Sequence, residues 1–213
     1  RAFKEVVEVG AVQMVFVAAG FNPLEHYSPA LATWLRAKQR QGATVGGLDT
    51  GAYVLAEAQL IGSQAVTLHW EAHSAFAEAY PRIKLTQELF EIGPRCITCA
   101  GGTSAIDMML ALIEKSHSHA LAAQVSEQFV LGRIRSASDQ QRMDITTRFD
   151  VHNAKAVQVI RSMEAHIEDP LSTQDLADVA GVTTRQLERL FHAHLKTTPS
   201  HFYLNLRLDR ARQ

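Results

Sequence analysis

The sequence has little of what builds secreted, membrane-spanning or disordered proteins. Its two cysteines, Cys96 and Cys99, are too few for a disulfide scaffold, and a lone C-x-x-C lacks the second pair of a zinc ribbon. Apolar runs such as 12–19 are far shorter than the roughly 18 residues of a membrane span. No signal segment opens the chain. We therefore expect a cytoplasmic globular protein with no metal, no cofactor and no membrane partner.

The composition supports a folded core and allows more than one domain. Hydrophobic residues make up 46% of the 213 residues and charged residues 20%, which is typical of globular proteins. Apolar periodicity lapses over 132–153, which indicates a linker. We predict domains at 1–150 and 151–213. Because the chain opens on Arg1 rather than methionine and Gln213 ends a run of helical period, we expect both ends to be truncated.

Strands and helices alternate in the first domain. The apolar run at 12–19 predicts a strand buried on both faces of a parallel sheet. Ser28 followed by Pro29 predicts the start of a helix. A second strand at 43–48 and helical spacing over 52–62 repeat the order. This alternation predicts an α/β layer fold with helices on both faces of the sheet.

The same pattern returns later in the domain. A strand is predicted at 97–100, and the glycine pair after it leads into a helix. Ser104 and Asp107 have the spacing of a capping box at the start of that helix. A shorter apolar run at 65–68 is a further strand candidate, and His69 follows it directly.

Three strand-to-helix turns are candidates for a ligand site, because ligands of such folds collect beyond the carboxyl ends of the strands. They lie at 19–21, 47–51 and 100–103. The second has the glycine spacing of a nucleophile elbow, but its central residue is Asp49, where acyl transfer would use serine or cysteine. A plain tight turn with an N-capping aspartate is the structural alternative.

His69 is the natural partner of that aspartate. If Asp49 and His69 face each other, they place an anionic acceptor beside an imidazole, a layout that could catalyse a reaction or hold a polar ligand. A lone histidine is also common as a surface or core residue. The residues alone leave these alternatives open.

The second domain has the spacing of a helix-turn-helix. A short helix, a turn at Gly181 and a second helix capped by Thr183 or Thr184 follow in order. Ala177 is small enough for two helices to approach, Gly181 accepts positive φ, and Leu187 is an inward anchor. An ordinary helical bundle could show the same spacing.

Charge reverses at this motif, which favours contact with phosphate. Residues 164–182 carry five acidic residues and no lysine or arginine, whereas six basic residues and two acidic ones follow from 183 onward. The first turns of the second helix are where a recognition helix meets base edges in the major groove. The predicted DNA-binding residues are Thr184, Arg185, Gln186, Glu188 and Arg189.

These motifs carry a resemblance to known families. The stretch GVTTRQLERLFHAHLKTTPSHFYLNLRLDRARQ resembles the first helix-turn-helix and linker helix of AraC/XylS-type transcription regulators. The segments VFVAAGFNPLEHYSPAL, LDTGAYVLAEAQLIG, TLHWE and ITCAGGTSAIDMMLALIE resemble the sensor domain of the GlxA-type subgroup, which has the PfpI and class I glutamine-amidotransferase-like fold. The resemblance implies a flavodoxin-like α/β parallel-sheet sandwich, truncated at its amino end, before an all-α helix-turn-helix domain truncated at its carboxyl end.

The resemblance also implies loss of catalysis. In that superfamily the elbow residue is a cysteine, its partner is a histidine, and a helper acid comes from the amino-terminal part. Here Asp49 occupies the elbow and His69 matches the histidine, while the segment expected to carry the acid lies before Arg1. The implied protein is a sensor with no catalytic residue. A hydrolase that uses Asp49 as nucleophile is the enzyme alternative, and a protein-interaction module is a third possibility.

The elbow, TLHWEA and QELFEI segments look most like choline-catabolism regulators that respond to glycine betaine or dimethylglycine, with arginine- and carnitine-responsive regulators as alternatives. A carboxylate attracts a cation, and aromatic faces suit a methylated ammonium. A helix start can supply donors for the ligand's carboxylate. The predicted ligand-binding residues are Gly20, Phe21, Asp49, Thr50, Tyr53, His69, Trp70, Gly102 and Thr103.

The function implied is a ligand-responsive transcription activator of small-metabolite catabolism. Its expected partners are promoter DNA, a small effector that is a quaternary ammonium or a cationic amino acid, RNA polymerase, and a second copy bound through the sensor domain.

Overall fold

In a computed structural model, residues 11–212 are described and form two compact units. The first unit extends to Gln141 and the second begins at Arg142. This division falls nine residues before the expected boundary at 150. The difference arises because a short helix, Ile145–Phe149, precedes the first long helix of the second unit.

The first unit contains a four-stranded sheet among its described residues. Three parallel strands, β1, β2 and β4, lie in that order, and β3 is antiparallel to β4 at the edge. Because the three parallel strands run in one direction, their carboxyl ends meet at one edge of the sheet. The strands are β1 (Met14–Ala19), β2 (Thr44–Asp49), β3 (Phe90–Ile92) and β4 (Cys96–Cys99).

Helices and a short 3-10 turn at Trp70–Ala72 connect and cover the strands. Ser28 caps the first helix as predicted, since its side-chain oxygen accepts the Leu31 N–H at 3.2 Å. Leu35 of that helix and Leu55 of the next are fully buried in the core of the unit. The helices are α1 (Pro29–Arg40), α2 (Gly51–Glu57), α3 (His73–Ala79), α4 (Ser104–Ser116) and α5 (His119–Gln128).

Two strand predictions were wrong in part. Strand β1 is not buried on both faces, because none of its six residues is fully buried and Met14 is 43% exposed. The run at 65–68 forms only an isolated bridge, Val66 to Leu85. His69 therefore follows an extended segment rather than a strand of the sheet.

Two helix predictions were also wrong. Helix α2 ends at Glu57 instead of continuing to residue 62, and Gln59 takes a positive φ of 56° just after it. No capping box forms between Ser104 and Asp107. The Asp107 carboxylate instead accepts hydrogen bonds from Arg135, which lies 28 residues later in the chain.

The second unit consists of five helices in its described part. Their apolar faces bury Ile160, Met163, Leu176, Leu187 and Phe191 in one core. The helices are α6 (Ile145–Phe149), α7 (Ala154–Ala165), α8 (Thr173–Val179), α9 (Thr184–Leu195) and α10 (Pro199–Ala211).

Side-chain caps and a glycine turn define where α8 and α9 of the helix-turn-helix begin and end. Ser172 forms a capping box with Asp175 at the start of α8, and Thr183 forms one with Gln186 at the start of α9. Gly181 between them has a φ of +60°, as predicted. Both helices therefore begin where their own side chains satisfy the backbone N–H groups.

No helix within residues 11–212 is both long and apolar enough to cross a membrane. The two cysteines are buried and not joined by a disulfide. Burial raises the pKa of the Cys96 thiol to about 12, so the reactive thiolate form is disfavoured at neutral pH.

Candidate ligand and nucleic-acid sites

The carboxyl ends of β1, β2 and β4 enclose a cleft of about 380 Å³. All three predicted turns contribute to it, because the parallel strands end side by side. The residues that line it are Ala18, Ala19, Gly20, Leu48, Asp49, Gly101, Gly102 and Ala105.

Asp49 stands at a sharp turn between β2 and α2. Its φ of +61° is uncommon for a residue other than glycine. A Cβ on Gly51 would collide with the Val17 carbonyl oxygen, and a Cβ on Gly47 would lie 2.7 Å from the Ala52 nitrogen. The two flanking glycines therefore permit a close approach that no other residue allows.

The Asp49 side chain reaches toward the third turn of the cleft. A Cβ on Gly101 would lie only 2.6 Å from the Asp49 Cβ, and Gly101 itself has a φ of +86°. A residue with a side chain at 101 would displace the carboxylate. Glycine at this position is thus part of what places the aspartate in the cleft.

Burial and nearby charges act on the Asp49 carboxyl group. Desolvation by burial raises its pKa above the ordinary value of 3.8, and the Glu71 carboxylate raises it further. The interaction with the His69 imidazole and a hydrogen bond from the Thr50 backbone lower the pKa of Asp49. The net result is a raised pKa, so Asp49 attracts a cation strongly once it is ionised.

Thr50 connects the elbow to the first turn. Its hydroxyl donates to the Gly20 carbonyl at 2.5 Å, and its backbone N–H donates to the Ala19 carbonyl at 3.1 Å. These bonds hold the end of β1 against the start of α2. Thr50 therefore shapes the cleft without lining it.

His69 is near two carboxylates, those of Asp49 and Glu71. Its Nδ1 is 3.6 Å from the Glu71 Oε2, and its ring centroid is 5.5 Å from that of Trp70. Sequence reasoning missed Glu71, although its position two residues after His69 in TLHWE was visible. His69, Trp70 and Glu71 do not line the cleft, but the His69 and Glu71 side chains act electrostatically on Asp49, which does. Two carboxylates and an imidazole near one another suit a cationic group.

Three predicted ligand residues point elsewhere. Phe21 is 96% exposed, and Tyr53 packs edge-on against Phe76 with ring centroids 4.9 Å apart. The Thr103 hydroxyl accepts a hydrogen bond from Arg135 at 2.7 Å. None of the three lines the cleft. From the turn predicted to supply hydrogen-bond donors, Gly101 and Gly102 line it. Residues 11–212 contain no group of three side chains placed to hold a metal ion.

The predicted DNA-binding residues divide into two groups on α9. Arg185, Glu188 and Arg189 are exposed, and the described residues give them no hydrogen bond or ion pair. Thr184 is half-buried at the first position of the helix. The Gln186 side chain accepts the Thr183 backbone N–H at 2.9 Å, so it is committed to the helix cap.

His192 was missed by sequence reasoning, although it lies three residues after Arg189 and on the same side of α9. It is exposed. Leu187 and Phe191 face the core and are fully buried, so the helix has one apolar face and one charged face.

The fold and the two surfaces define a class: an α/β unit with a cleft at its strand ends that holds one carboxylate, Asp49, followed by a helix-turn-helix unit. The HTH-type transcriptional regulator CdhR of Pseudomonas aeruginosa is 60% identical over 201 residues, which are 94% of this chain and 60% of that protein. Other relatives, named GbdR, ArgR and GlxA, are also HTH-type transcriptional regulators. No family model matches the chain.

Solved structures agree on the fold. An AraC family transcriptional regulator from Pseudomonas putida superposes with a TM-score of 0.52 at 22% identity, covering 61% of this chain and 68% of that one. A ThiJ/PfpI family protein from Pseudomonas syringae gives the same TM-score at 15% identity, covering 80% and 65%. The flavodoxin-like α/β fold is confirmed.

Close homologues of the chain are thus HTH-type transcriptional regulators, in agreement with the resemblance carried by its motifs. The chain spans 55% to 62% of the length of the curated relatives it matches. Those relatives are named as transcriptional regulators and not as hydrolases.

Proposed function

We propose that the protein is a ligand-responsive DNA-binding transcription regulator that acts as an activator. The observation that carries the proposal is the exposed, unpaired charged face of α9, the second helix of the helix-turn-helix. Promoter DNA is its proposed partner, because such a helix fits the major groove and reads base edges there. The cytoplasm is the proposed location, since the DNA is found there.

Charge supports this assignment. Arg185 and Arg189 are one helical turn apart and both exposed, so both can reach the same stretch of groove. Arginine pairs bidentately with guanine O6 and N7, which is the commonest specific contact to a base. The acidic residues of α8, such as Asp175 and Asp178, lie on the preceding helix, where Asp175 is used in the cap.

Replacing Arg189 by alanine is expected to weaken operator binding and change base preference, by about 1–3 kcal/mol for a lost bidentate contact. Gel-shift titration or footprinting on the selected operator measures both effects. Arg161→Ala removes the same charge from an exposed position on α7 and serves as the control. An unchanged footprint for Arg189→Ala would exclude this residue as a base reader.

The cleft of the α/β unit is the proposed effector site. Asp49, with His69 and Glu71 nearby, suits a cationic group, and the backbone N–H groups around Gly101 and Gly102 suit the carboxylate of the same ligand. A ligand with both groups is a zwitterion or a cationic amino acid. Glycine betaine or dimethylglycine is the proposed effector, with arginine and carnitine as the alternatives.

Replacing Asp49 by alanine or asparagine is expected to abolish effector binding and leave DNA affinity intact, because the charge that attracts the cation is lost. Calorimetry with glycine betaine, carnitine and arginine measures the binding. Glu127→Gln, at an exposed site on α5, is the charge-matched control. Undiminished binding in both variants would remove Asp49 from the site.

The raised pKa of Asp49 adds a pH dependence. The Asp49 carboxyl group takes up its proton at a higher pH than an ordinary aspartate, whose pKa is 3.8. As the pH falls, cation binding is therefore expected to weaken before an ordinary aspartate would be protonated. Because burial makes the ionised Asp49 carboxylate unfavourable in the folded state at neutral pH, replacing it by the uncharged asparagine is not expected to destabilise the α/β unit. An Asp49→Asn protein that remains folded but binds no effector would show that Asp49 serves ligand binding and not the stability of the unit.

Two further partners complete the proposal. A second copy of the chain would bind through the α/β unit, which suits the pairs of half-sites that helix-turn-helix dimers recognise. RNA polymerase would be the target of activation. Sedimentation at several concentrations and transcription from the selected operator test these two points.

A further inference from the structure

The exposed face of α9 contains a single carboxylate, that of Glu188. Three basic side chains surround its position on the helix: Arg185 lies three residues before it, Arg189 one residue after it, and His192 four residues after it. All four residues are exposed, and within residues 11–212 the Glu188 carboxylate forms no hydrogen bond or ion pair. An acidic group beside these basic side chains thus remains available for an external partner.

Position on the helix limits what that partner can be. Leu187 and Phe191 are buried and fix which side of α9 faces inward. Gln186 is used in the helix cap, so it does not compete for a base. If the exposed face of α9 lies in the major groove, Glu188 is part of that face, and Arg185 and Arg189 lie together on one side of it.

A carboxylate at this place must have a specific target, because DNA phosphates repel it. In the major groove, hydrogen-bond donors come only from cytosine N4 and adenine N6. Adenine presents its N7 acceptor beside N6, and that acceptor disfavours a carboxylate. Cytosine presents the N4 donor alone, so a glutamate matches cytosine best.

We propose that Glu188 is a specificity-determining residue that accepts a hydrogen bond from the N4 amino group of one operator cytosine. The guanine paired with that cytosine presents O6 and N7 to an arginine, and Arg185 and Arg189 are the arginines nearest to Glu188 on this face. The operator therefore contains a C·G pair opposite Glu188. This inference rests on the proposed DNA-binding function.

The test is selection from a pool of randomised double-stranded DNA, carried out with the full chain and with Glu188→Gln. Glutamine pairs with adenine N6 and N7 instead of accepting from cytosine. The wild-type protein is expected to select a cytosine at one position, and Glu188→Gln is expected to select adenine there, with the other positions unchanged. At that position the preference should change by about 5- to 150-fold.

Two controls keep the result specific. Glu168→Gln removes the same charge at an exposed position outside α9 and should leave the selected sequence unchanged. Glu188→Ala should lose the cytosine preference without gaining one for adenine. Far-UV circular dichroism checks that each variant keeps its helices, which is expected because residue 188 is exposed.

The outcomes separate this inference from the function on which it rests. If the wild-type protein and Glu188→Gln select the same sequence, or if no cytosine is selected, Glu188 is not a base reader and the proposal is overturned while DNA binding stands. If none of the proteins selects any sequence, the proposed regulatory function fails, and this inference with it.

Discussion

Replacing Phe191 by alanine is expected to lower the free energy of unfolding of the helical unit by about 3–5 kcal/mol. The side chain is fully buried in the core of this unit, and its ring packs edge-on against Phe202 with centroids 5.7 Å apart. Truncation removes these contacts and leaves a cavity that the short helices α8 and α9 cannot close. A domain of ordinary stability has only about 5–15 kcal/mol to lose, so operator binding should largely disappear.

Amide hydrogen exchange, measured residue by residue, reports the loss of stability of the helical unit in Phe191→Ala separately from that of the α/β unit. Phe191→Leu, which keeps most of the volume, is expected to cost less than about 1.5 kcal/mol. His194→Ala changes an exposed residue of the same helix and should stay within about 0.5 kcal/mol. If Phe191→Ala exchanged no faster than His194→Ala, the inward face of α9 would have been assigned wrongly.

Features that depend on neighbouring residues could be predicted from the sequence. The caps at Ser28, Ser172 and Thr183 and the positive φ of Gly181 each depend on residues within three or four positions. The elbow at Asp49 belongs to the same group, because its flanking glycines, Gly47 and Gly51, are each two residues away. Short-range chemistry of this kind needs no knowledge of the tertiary structure.

Features that depend on distant residues could not be predicted. The strand expected at 65–68 fails because only Leu85 pairs with it. Asp107 fits a capping box, yet its carboxylate binds Arg135 instead, and no local pattern relates these two residues. Tyr53 looked like part of the ligand site by proximity in sequence, but α2 turns it toward Phe76.

The cleft itself was only partly predictable. Parallel strands brought the three turns together as expected, so Gly20, Asp49 and Gly102 line one space. Which aromatic side chains face that space depends on the exact ends of helices, and these ends are the least certain part of any reading of sequence. Phe21 and Tyr53 do not line the cleft, and Glu71, whose carboxylate acts on Asp49, was not among the predicted residues.

The ion pair between Asp107 and Arg135 is expected to be the most important polar interaction of the α/β unit. Asp107 is 3% exposed, and its carboxylate accepts hydrogen bonds from the Arg135 backbone N–H at 2.9 Å, Nε at 2.9 Å and Nη2 at 2.7 Å. Replacing Arg135 by alanine leaves a buried carboxylate with one backbone donor. We expect a loss of about 3 kcal/mol, because breaking one side of a buried pair leaves its charge uncompensated.

Arg133 provides a matched control two residues away. It pairs with Asp139 at the same distance of 2.7 Å, but its side chain is 68% exposed, so Arg133→Ala should cost no more than about 1 kcal/mol. Urea unfolding of both variants gives the comparison. The double variant Asp107→Ala with Arg135→Ala should recover part of the loss, since no unpaired charge then remains buried. Equal losses for Arg133→Ala and Arg135→Ala would mean that exposure does not control the strength of these pairs, and that the segment after α5 is held to α4 by packing alone.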